Sequence, residues 1–399
     1  MSEEQTPINE ERLPVSEGQT EPADKPNAFK TYLKNLPKRY FITAFSGMAL
    51  GLFATLIAGT ILEMFAKWIG TENIAGRILI AFANSAKFLM GAGIGIGIAY
   101  KLEAKPLVVF TAAVTGFVGA FALNIIGGTF GKELLEDPVK PGNPIGAYVV
   151  SLFTIEIASL YAGKTKFDII FIPLGMILMC FAGIYVAYPF IKLIDLFAEL
   201  LVITINAGAA VKIITGILIS VVMGVLLTMP TSSAAIWIAI ATSETAKLPE
   251  NTAVFAIAGG AAVAGCAAHM VGFAVSSYRE NGFSGLISQG LGTSMLQIPN
   301  IMKKPVIMLP EIIASVFAGL VAVLLDMRCT PSGGGMGTSG LVGVFGTIDA
   351  NAAAGIPGVK TAISIALCMF IIPAAISLLS SEFLRKKDVI AFGDMKLPE

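Results

Sequence analysis

The sequence contains little charge. Only 14% of its 399 residues are Asp, Glu, Lys or Arg, whereas 55% are hydrophobic, and a soluble globular protein carries about 25% charged residues. Of the 54 charged residues, 13 lie in residues 1–39 and eight in residues 382–399, which leaves 33 for the 342 residues between them. This deficit excludes a soluble enzyme, a nucleic-acid-binding protein and a secreted disulfide scaffold. It predicts an all-α polytopic membrane protein.

Residues that bind metals or carry redox chemistry are also scarce. The chain has one histidine and four cysteines, which are far apart in sequence, and no CxxC pair. Zinc and redox sites normally show such clusters. We therefore predict no metal and no cofactor, and we interpret the cysteines as buried thiols without a special role.

Long apolar stretches, by contrast, are abundant. A transmembrane helix needs about 20 mostly apolar residues, and the sequence predicts about ten of them. Nine stretches are clear and a tenth, at 285–299, is weaker. The nine are 40–62, 77–100, 106–126, 144–162, 168–188, 209–229, 252–278, 305–326 and 359–384.

Residues 189–206 differ from these stretches. Lys192, Asp195 and Glu199 are spaced so that they share one face of a helix, and apolar residues occupy the other faces. This pattern is typical of an amphipathic helix. We predict a separate helix here, either at the membrane interface or lining the interior of the protein.

Two short polar stretches interrupt the apolar pattern, at Thr228–Trp237 and at Thr330–Gly340. Their Pro and Gly residues do not suit a continuous helix. Irregular backbone at membrane depth is tolerated where it is buried in protein or faces a water-filled cavity. We predict that both stretches are the tips of re-entrant hairpins. Ordinary loops outside the membrane are the alternative.

The two halves of the chain resemble each other. Two motifs recur in the same order: Tyr100-Lys101 as Tyr278-Arg279, and Lys105-Pro106 as Lys304-Pro305. Internal duplication is common in transporters. We predict a transmembrane domain at 35–385 with repeats at about 40–206 and 207–384, and leave open whether the repeats are inverted or parallel. We interpret residues 1–34 as a disordered cytoplasmic tail and residues 386–399 as a second cytoplasmic tail.

Ionisable residues inside apolar stretches are costly and are functional candidates by default. His269 lies in the middle of a predicted span among small residues, where it could contact a solute or only a neighbouring helix. Glu311 follows Pro310 near the start of a span and could accept hydrogen bonds from a polyol. A glutamate that simply meets water at the interface is the alternative.

Lys87 and Glu156 are two further ionisable candidates. They could line a cavity or pair with each other, which would be a structural role. The glycines at positions 91, 93, 95 and 97 form two overlapping GxxxG patterns. These patterns favour close packing between helices.

The predicted tips combine hydroxyl groups with exposed main-chain groups. Such groups suit a neutral polar ligand or Na⁺, and they carry too little charge to hold a divalent cation. The candidate solute-binding residues at the tips are Thr231, Ser232, Ser233, Gly334, Gly335, Thr338 and Ser339. With His269, Glu311, Glu156 and Lys87 they complete the predicted site.

The tip sequences MPTSSAAI (Met229–Ile236) and GGGMGTSGLVG (Gly333–Gly343) resemble IIC-type membrane subunits of the bacterial phosphotransferase system. The closest resemblance is to the perfringolysin-regulator-like (toxin-regulator) branch, and it covers roughly residues 35–385. It implies a homodimeric permease for a sugar in the bacterial inner membrane, with the two tips at the central site. It also implies IIA and IIB phosphocarrier partners.

This chain has no soluble segment large enough for a IIA or IIB domain. Any phosphoryl transfer would therefore come from separate proteins, and the resemblance implies the membrane subunit of a sugar phosphotransferase system. We predict a transporter for a sugar or sugar-like polar solute, with both termini cytoplasmic by the positive-inside rule. An ion-coupled secondary transporter of the same fold and a membrane regulator without transport are the alternatives.

Overall fold

A computed structural model of the protein describes residues 35–130, 142–229 and 232–397. Within these ranges the chain forms helices and no β-strand, which confirms the all-α prediction. The predicted tail at 1–34 lies outside the described residues. The helices, in chain order, are α1 (Asn35–Ile69), α2 (Ile74–Phe88), α3 (Met90–Lys101), α4 (Pro106–Ala120), α5 (Ala122–Ile126), α6 (Pro144–Tyr161), α7 (Asp168–Asn206), α8 (Ala209–Thr228), α9 (Ser233–Ala241), α10 (Glu244–Lys247), α11 (Pro249–Ser276), α12 (Tyr278–Ile287), α13 (Ile298–Lys303), α14 (Pro305–Leu324), α15 (Pro331–Gly334), α16 (Val342–Ala353) and α17 (Gly358–Lys386).

The number of helices that can cross a membrane is smaller than predicted. In the described residues, seven helices are long and apolar enough, and α2 and α3, bent by 54° at their junction, make an eighth if they form one span. The seven are α1, α6, α7, α8, α11, α14 and α17. The chain is thus a multi-pass membrane protein. The weak stretch at 285–299 contributes no span, because it breaks into short helical pieces.

The prediction of a separate amphipathic helix at 189–206 is wrong, because these residues belong to helix α7. The chain runs as one helix of 39 residues through Pro173 and Pro189, about 58 Å long at 1.5 Å per residue. The carboxylate of Asp195, which is only 5% exposed, accepts a hydrogen bond from the backbone N–H of Glu244 at 2.9 Å. The polar face of this part of α7 therefore holds the start of α10.

Glycines bring the helices of the first half into backbone contact. A Cβ atom at Gly47 of α1 would lie 2.5 Å from the carbonyl oxygen of Gly97 in α3. On the other side of α3, a Cβ atom at Gly91 would lie 2.7 Å from the carbonyl oxygen of Gly116 in α4. The two GxxxG patterns of α3 thus serve two different neighbours, as the sequence predicted for helix packing.

Helices α8, α11 and α14 form the centre of the second half. Helices α8 and α11 run in the same direction, because Ser220 meets Gly265 and, one turn later, Gly224 meets His269. Helix α14 runs in the opposite direction. The hydroxyl of Ser220 donates to the carbonyl oxygen of Ser315 at 2.7 Å. The packing of these small residues determines the position of His269 along the helix axis relative to α8 and α14. The division into two repeats stays a prediction.

Residues 388–397, here called the C-terminal strap, pack against the body of the protein. The side-chain amides of Asn281 and Gln297 donate to the main-chain oxygen of Met395 at 2.8 and 2.9 Å. Asn300 donates to the main-chain oxygen of Lys396 at 2.8 Å. Met395 is 0% exposed. This segment, which the sequence predicts as part of a cytoplasmic tail, is therefore a docked element, because carboxamide groups satisfy its backbone.

An ion pair also holds the strap. The ammonium group of Lys304 lies 2.6 Å from the carboxylate of Asp394, and the backbone N–H of Ala391 donates to the same carboxylate. Partial burial acts to raise the pKa of Asp394, but these two hydrogen bonds outweigh it, so that the pKa is lowered overall. A lowered carboxyl pKa stabilises the docked strap above the ordinary aspartate pKa, about 3.9. This contribution is lost as the pH falls through the pKa of the folded state.

We expect Asp394→Asn to loosen the strap, because it removes the charge that pairs with Lys304. Hydrogen exchange of the amides in 388–397 should become several-fold faster, while exchange in α11 stays unchanged. Wild-type protein should show the same local loosening in acid, below about pH 3.9. Asp388→Asn is the matched control, because Asp388 is exposed and makes no ion pair within the described residues. Equal exchange in wild type and Asp394→Asn would contradict the role of this ion pair.

Candidate functional site

The two predicted tips meet in the structure. Ser232 caps the N-terminus of α9, and its hydroxyl accepts a hydrogen bond from the backbone N–H of Ala235 at 3.1 Å. The hydroxyl of Ser233 donates to the carbonyl oxygen of Gly335, in the glycine-rich tip, at 2.7 Å. The two stretches are 102 residues apart in sequence, and their contact defines the centre of the candidate site.

The glycines of the second tip permit this contact. A Cβ atom at Gly335 would lie 2.7 Å from the carbonyl oxygen of Ser233, and Gly334 lies directly against the indole ring of Trp237. Gly337 has a φ of +57°, a conformation that side-chain-bearing residues rarely adopt. Any larger residue at the first two positions would separate the tips.

The tips also connect the two halves of the protein. Ala235 and Ile238 of α9 and Met336 of the glycine-rich tip are buried in the same apolar core as helices α1, α3 and α6. The other cores of the second half are separate from it. The tips therefore lie at the junction of the halves, which is where internally duplicated transporters bind their solutes.

A cavity of about 460 Å³, here called the tip cavity, lies beside this contact. Residues from α1, α3 and α8, both tips and the segment 292–295 line it. Its polar side chains are Ser46, Lys101, Ser232, Ser233, Thr293 and Ser339. The volume is within the range of ligand sites, about 300–1,000 Å³.

The structure brings some of the predicted tip residues to this cavity. Ser232, Ser233, Gly335 and Ser339 line it. The hydroxyl of Thr338 is buried behind it and donates to the carbonyl oxygen of Gly290 at 2.6 Å. Gly334 lies behind the cavity too, against Trp237, and Thr231 is outside the described residues.

His269 lies one layer behind the cavity wall. Its ring is fully buried, and Nδ1 is 2.9 Å from the hydroxyl of Thr228. That hydroxyl is also 2.9 Å from the hydroxyl of Ser294, whose neighbours Thr293 and Met295 line the cavity. Nε2 of His269 has no hydrogen-bond partner in the described part of the chain. Two side chains, those of Thr228 and Ser294, thus connect the imidazole to the segment that lines the tip cavity.

Glu311 is fully buried on the same side of α11 as His269. One carboxylate oxygen accepts a hydrogen bond from the hydroxyl of Ser276 at 2.8 Å. The other oxygen, and the buried hydroxyl of Ser377, have no partner among the residues described. Both side chains pack against Gly272, three residues after His269. Glu311 does not line the tip cavity.

Lys87 and Glu156 do not pair with each other, so that hypothesis is wrong. The ammonium group of Lys87 lies 2.8 Å from the carboxylate of Glu63, and Arg39 lies 2.7 Å from the carboxylate of Glu156. Both pairs form between helices of the first half, away from the tip cavity. Their geometry favours a structural role, because each charge is neutralised by a partner on a neighbouring helix.

Lys101 is a lining residue that the sequence did not identify as a site residue. From sequence it served only as a marker of membrane topology, at the end of a glycine-rich span. Its position at the end of a predicted span, in a sequence with few charged residues, was the feature that could have identified it as a site residue. Because Lys101 is far from both tips in sequence, the sequence did not indicate that it lies beside them.

Comparison with models of protein families gives a match to this chain. A family model described as "Phosphotransferase system, EIIC" matches residues 42–397, so that every residue lining the tip cavity falls inside the match. Comparisons with curated proteins and with solved structures gave no match.

We expect Thr228→Val to destabilise the wall of the tip cavity. The change keeps the shape of the side chain but removes the hydroxyl between His269 and Ser294. Leaving a buried polar group unsatisfied costs about 1–3 kcal/mol, so thermal unfolding should begin at a clearly lower temperature. Thr111→Val is the matched control, because this buried hydroxyl donates to the Leu107 carbonyl of its own helix and lies away from the cavity. Equal melting temperatures for the two variants would contradict the bridging role.

Proposed function

We propose, on the premise that this chain belongs to the phosphotransferase system EIIC family, that its tip cavity binds a sugar or a sugar-like polar solute for transport. Family membership makes the chain a membrane permease component of that system. The observation that carries the proposal is the Ser233–Gly335 contact beside a cavity with five hydroxyl side chains. These hydroxyl groups can both donate and accept hydrogen bonds, as sugar hydroxyls require.

The apolar part of the lining supports the same ligand class. Phe53, Leu227, Met295 and Met336 face the tip cavity together with the hydroxyls. Ligand sites commonly combine an apolar lining with a few polar groups that fix the orientation of the ligand. A sugar ring presents C–H groups and hydroxyl groups on different faces, so both kinds of lining residue can contact it.

We also propose that His269 and Glu311 contact the solute when the tips separate. Each has one buried nitrogen or oxygen without a partner in the described chain. Buried polar atoms are normally hydrogen-bonded, and a solute hydroxyl can supply the missing partner of each. In this role Glu311 accepts a hydrogen bond from the solute and His269 donates one.

Phosphoryl transfer, in this proposal, comes from separate IIA and IIB proteins at the cytoplasmic face. The tip cavity lies towards the end of the helix bundle that carries Arg39 and Arg385, because Ser46, Lys101 and Leu227 line it. The basic residues near both termini favour the cytoplasm for this end. The two tip sequences further support membership in the perfringolysin-regulator-like branch.

A homodimer is the final part of the proposal. Helix α7 exposes large aromatic residues along its length, including Phe171, Phe181 and Phe190. Such a face suits lipid or a second copy of the chain, and the family resemblance favours the second copy. The native mass of the protein in lipid nanodiscs tests this point, with a monomer that still binds solute as the contrary result.

We expect Ser233→Ala to weaken solute binding about two- to tenfold, because one neutral hydrogen bond contributes about 0.5–1.5 kcal/mol. Glu311→Gln and His269→Ala should weaken it about ten- to hundredfold if each loses a stronger hydrogen bond. Calorimetry with a panel of sugars and polyols, alongside melting temperatures, provides the measurement.

Ser364→Ala is the control for these variants, since this buried serine bonds to the Thr361 carbonyl and does not line the cavity. Normal binding by Ser233→Ala would place the solute elsewhere. Normal binding by both Glu311→Gln and His269→Ala would remove these residues from the site. Unfolding of those two variants would show that their role is structural.

A further inference from the structure

Among the described residues, the lining of the tip cavity carries a positive charge and no negative charge. Lys101 is the only charged residue among those that line it in the described chain, and no carboxylate accompanies it. The other polar side chains there are the hydroxyls already described. A solute in this cavity therefore meets a positive charge and no negative one.

Lys101 lines the tip cavity and, like several other lysines of the described residues, has no carboxylate within 4.0 Å. Lys67, Lys87, Lys192, Lys212, Lys247 and Lys304 each lie within 4.0 Å of a carboxylate. The nearest acidic residue in sequence, Glu103, is in the exposed loop that follows α3 and does not line the cavity. The C-terminus of α3 favours a lysine by its dipole, but this does not explain why the side chain borders the cavity.

The first tip adds positive potential to the same cavity. Ser233 and Ala234, the first residues of the nine-residue helix α9, line the same cavity. The N-terminus of a helix carries a partial positive charge and backbone N–H groups that suit anions. Lys101 and the start of α9 thus border one space from two different halves of the protein.

We infer that the ligand of the tip cavity carries an anionic oxygen group, which pairs with Lys101 while its hydroxyls contact the serines of the tips. This inference rests on the proposed function and specifies its solute class. Hydrogen bonds between an ammonium group and an anionic oxygen are roughly twice as strong as neutral ones. A neutral sugar would leave the ammonium group without this partner.

Two sources can supply such a group. The transported solute can itself be a sugar acid, whose carboxylate meets Lys101. Alternatively, the group is the phosphoryl group of a sugar phosphate. The recognition chemistry is the same, and ligands that differ only in the acidic group distinguish the two.

The test uses the full chain in lipid nanodiscs at constant ionic strength. Calorimetry compares glucose and galactose with their uronates and their 6-phosphates, and includes inorganic phosphate. We expect at least one class of acid to bind at least tenfold more tightly than the neutral sugars. Lys101→Gln should weaken that binding about ten- to hundredfold, a much larger factor than its effect on the binding of neutral sugars.

Lys105→Gln is the matched control, because it removes the same charge a few residues away, where the side chain lies against Gly163 instead of the cavity. Uronate binding points to a sugar acid, and binding of the 6-phosphate alone points to the phosphoryl group.

Equal or tighter binding of neutral sugars, weakened by Ser233→Ala but not by Lys101→Gln, would overturn this inference and leave the proposed function intact. If Lys101→Gln and Lys105→Gln lost affinity for the acids equally, the effect would come from the overall charge of the protein. That result would also overturn the inference. Failure of every sugar and every acid to bind wild-type protein would remove both proposals.

Discussion

The close contact between the two tips is the constraint on which the site depends. Ser233 and Gly335 touch through a hydrogen bond and through their backbones, and this is possible only because the second tip has no Cβ at that point. The tips come from distant parts of the second half, yet they pack into the apolar core of the first half. Their contact therefore positions the cavity and joins the two halves at the same place.

Behind the cavity, the protein buries polar groups in layers. Thr228 connects His269 with Ser294, and Ser276 contacts Glu311 on the next turns of α11. Burying such groups is costly unless they are hydrogen-bonded. The unpartnered atoms of His269 and Glu311 are thus two of the buried positions in the described helices at which a ligand would gain a hydrogen bond.

The C-terminal strap extends this arrangement to the end of the bundle. Its buried residues Ile390 and Met395 share an apolar cluster with Phe273, and Met229, the residue before the undescribed part of the first tip, packs against that cluster. The strap and the residue before the first tip therefore pack against the same cluster. Side-chain amides hold the strap by its backbone, while the Asp394 carboxylate and the buried Ile390 and Met395 hold it through its own side chains.

The sequence by itself determined the class of the protein, because hydropathy and charge density are local properties that specify membrane helices wherever they occur. It also identified both tips, since Pro and Gly within apolar surroundings have few structural solutions, and it predicted the glycine contacts of α3. The tertiary structure decided which distant groups meet. Glu156 pairs with Arg39, 117 residues away, and Lys101 borders the tips. Such contacts depend on the register and direction of packed helices, which the periodicity of a single helix does not contain.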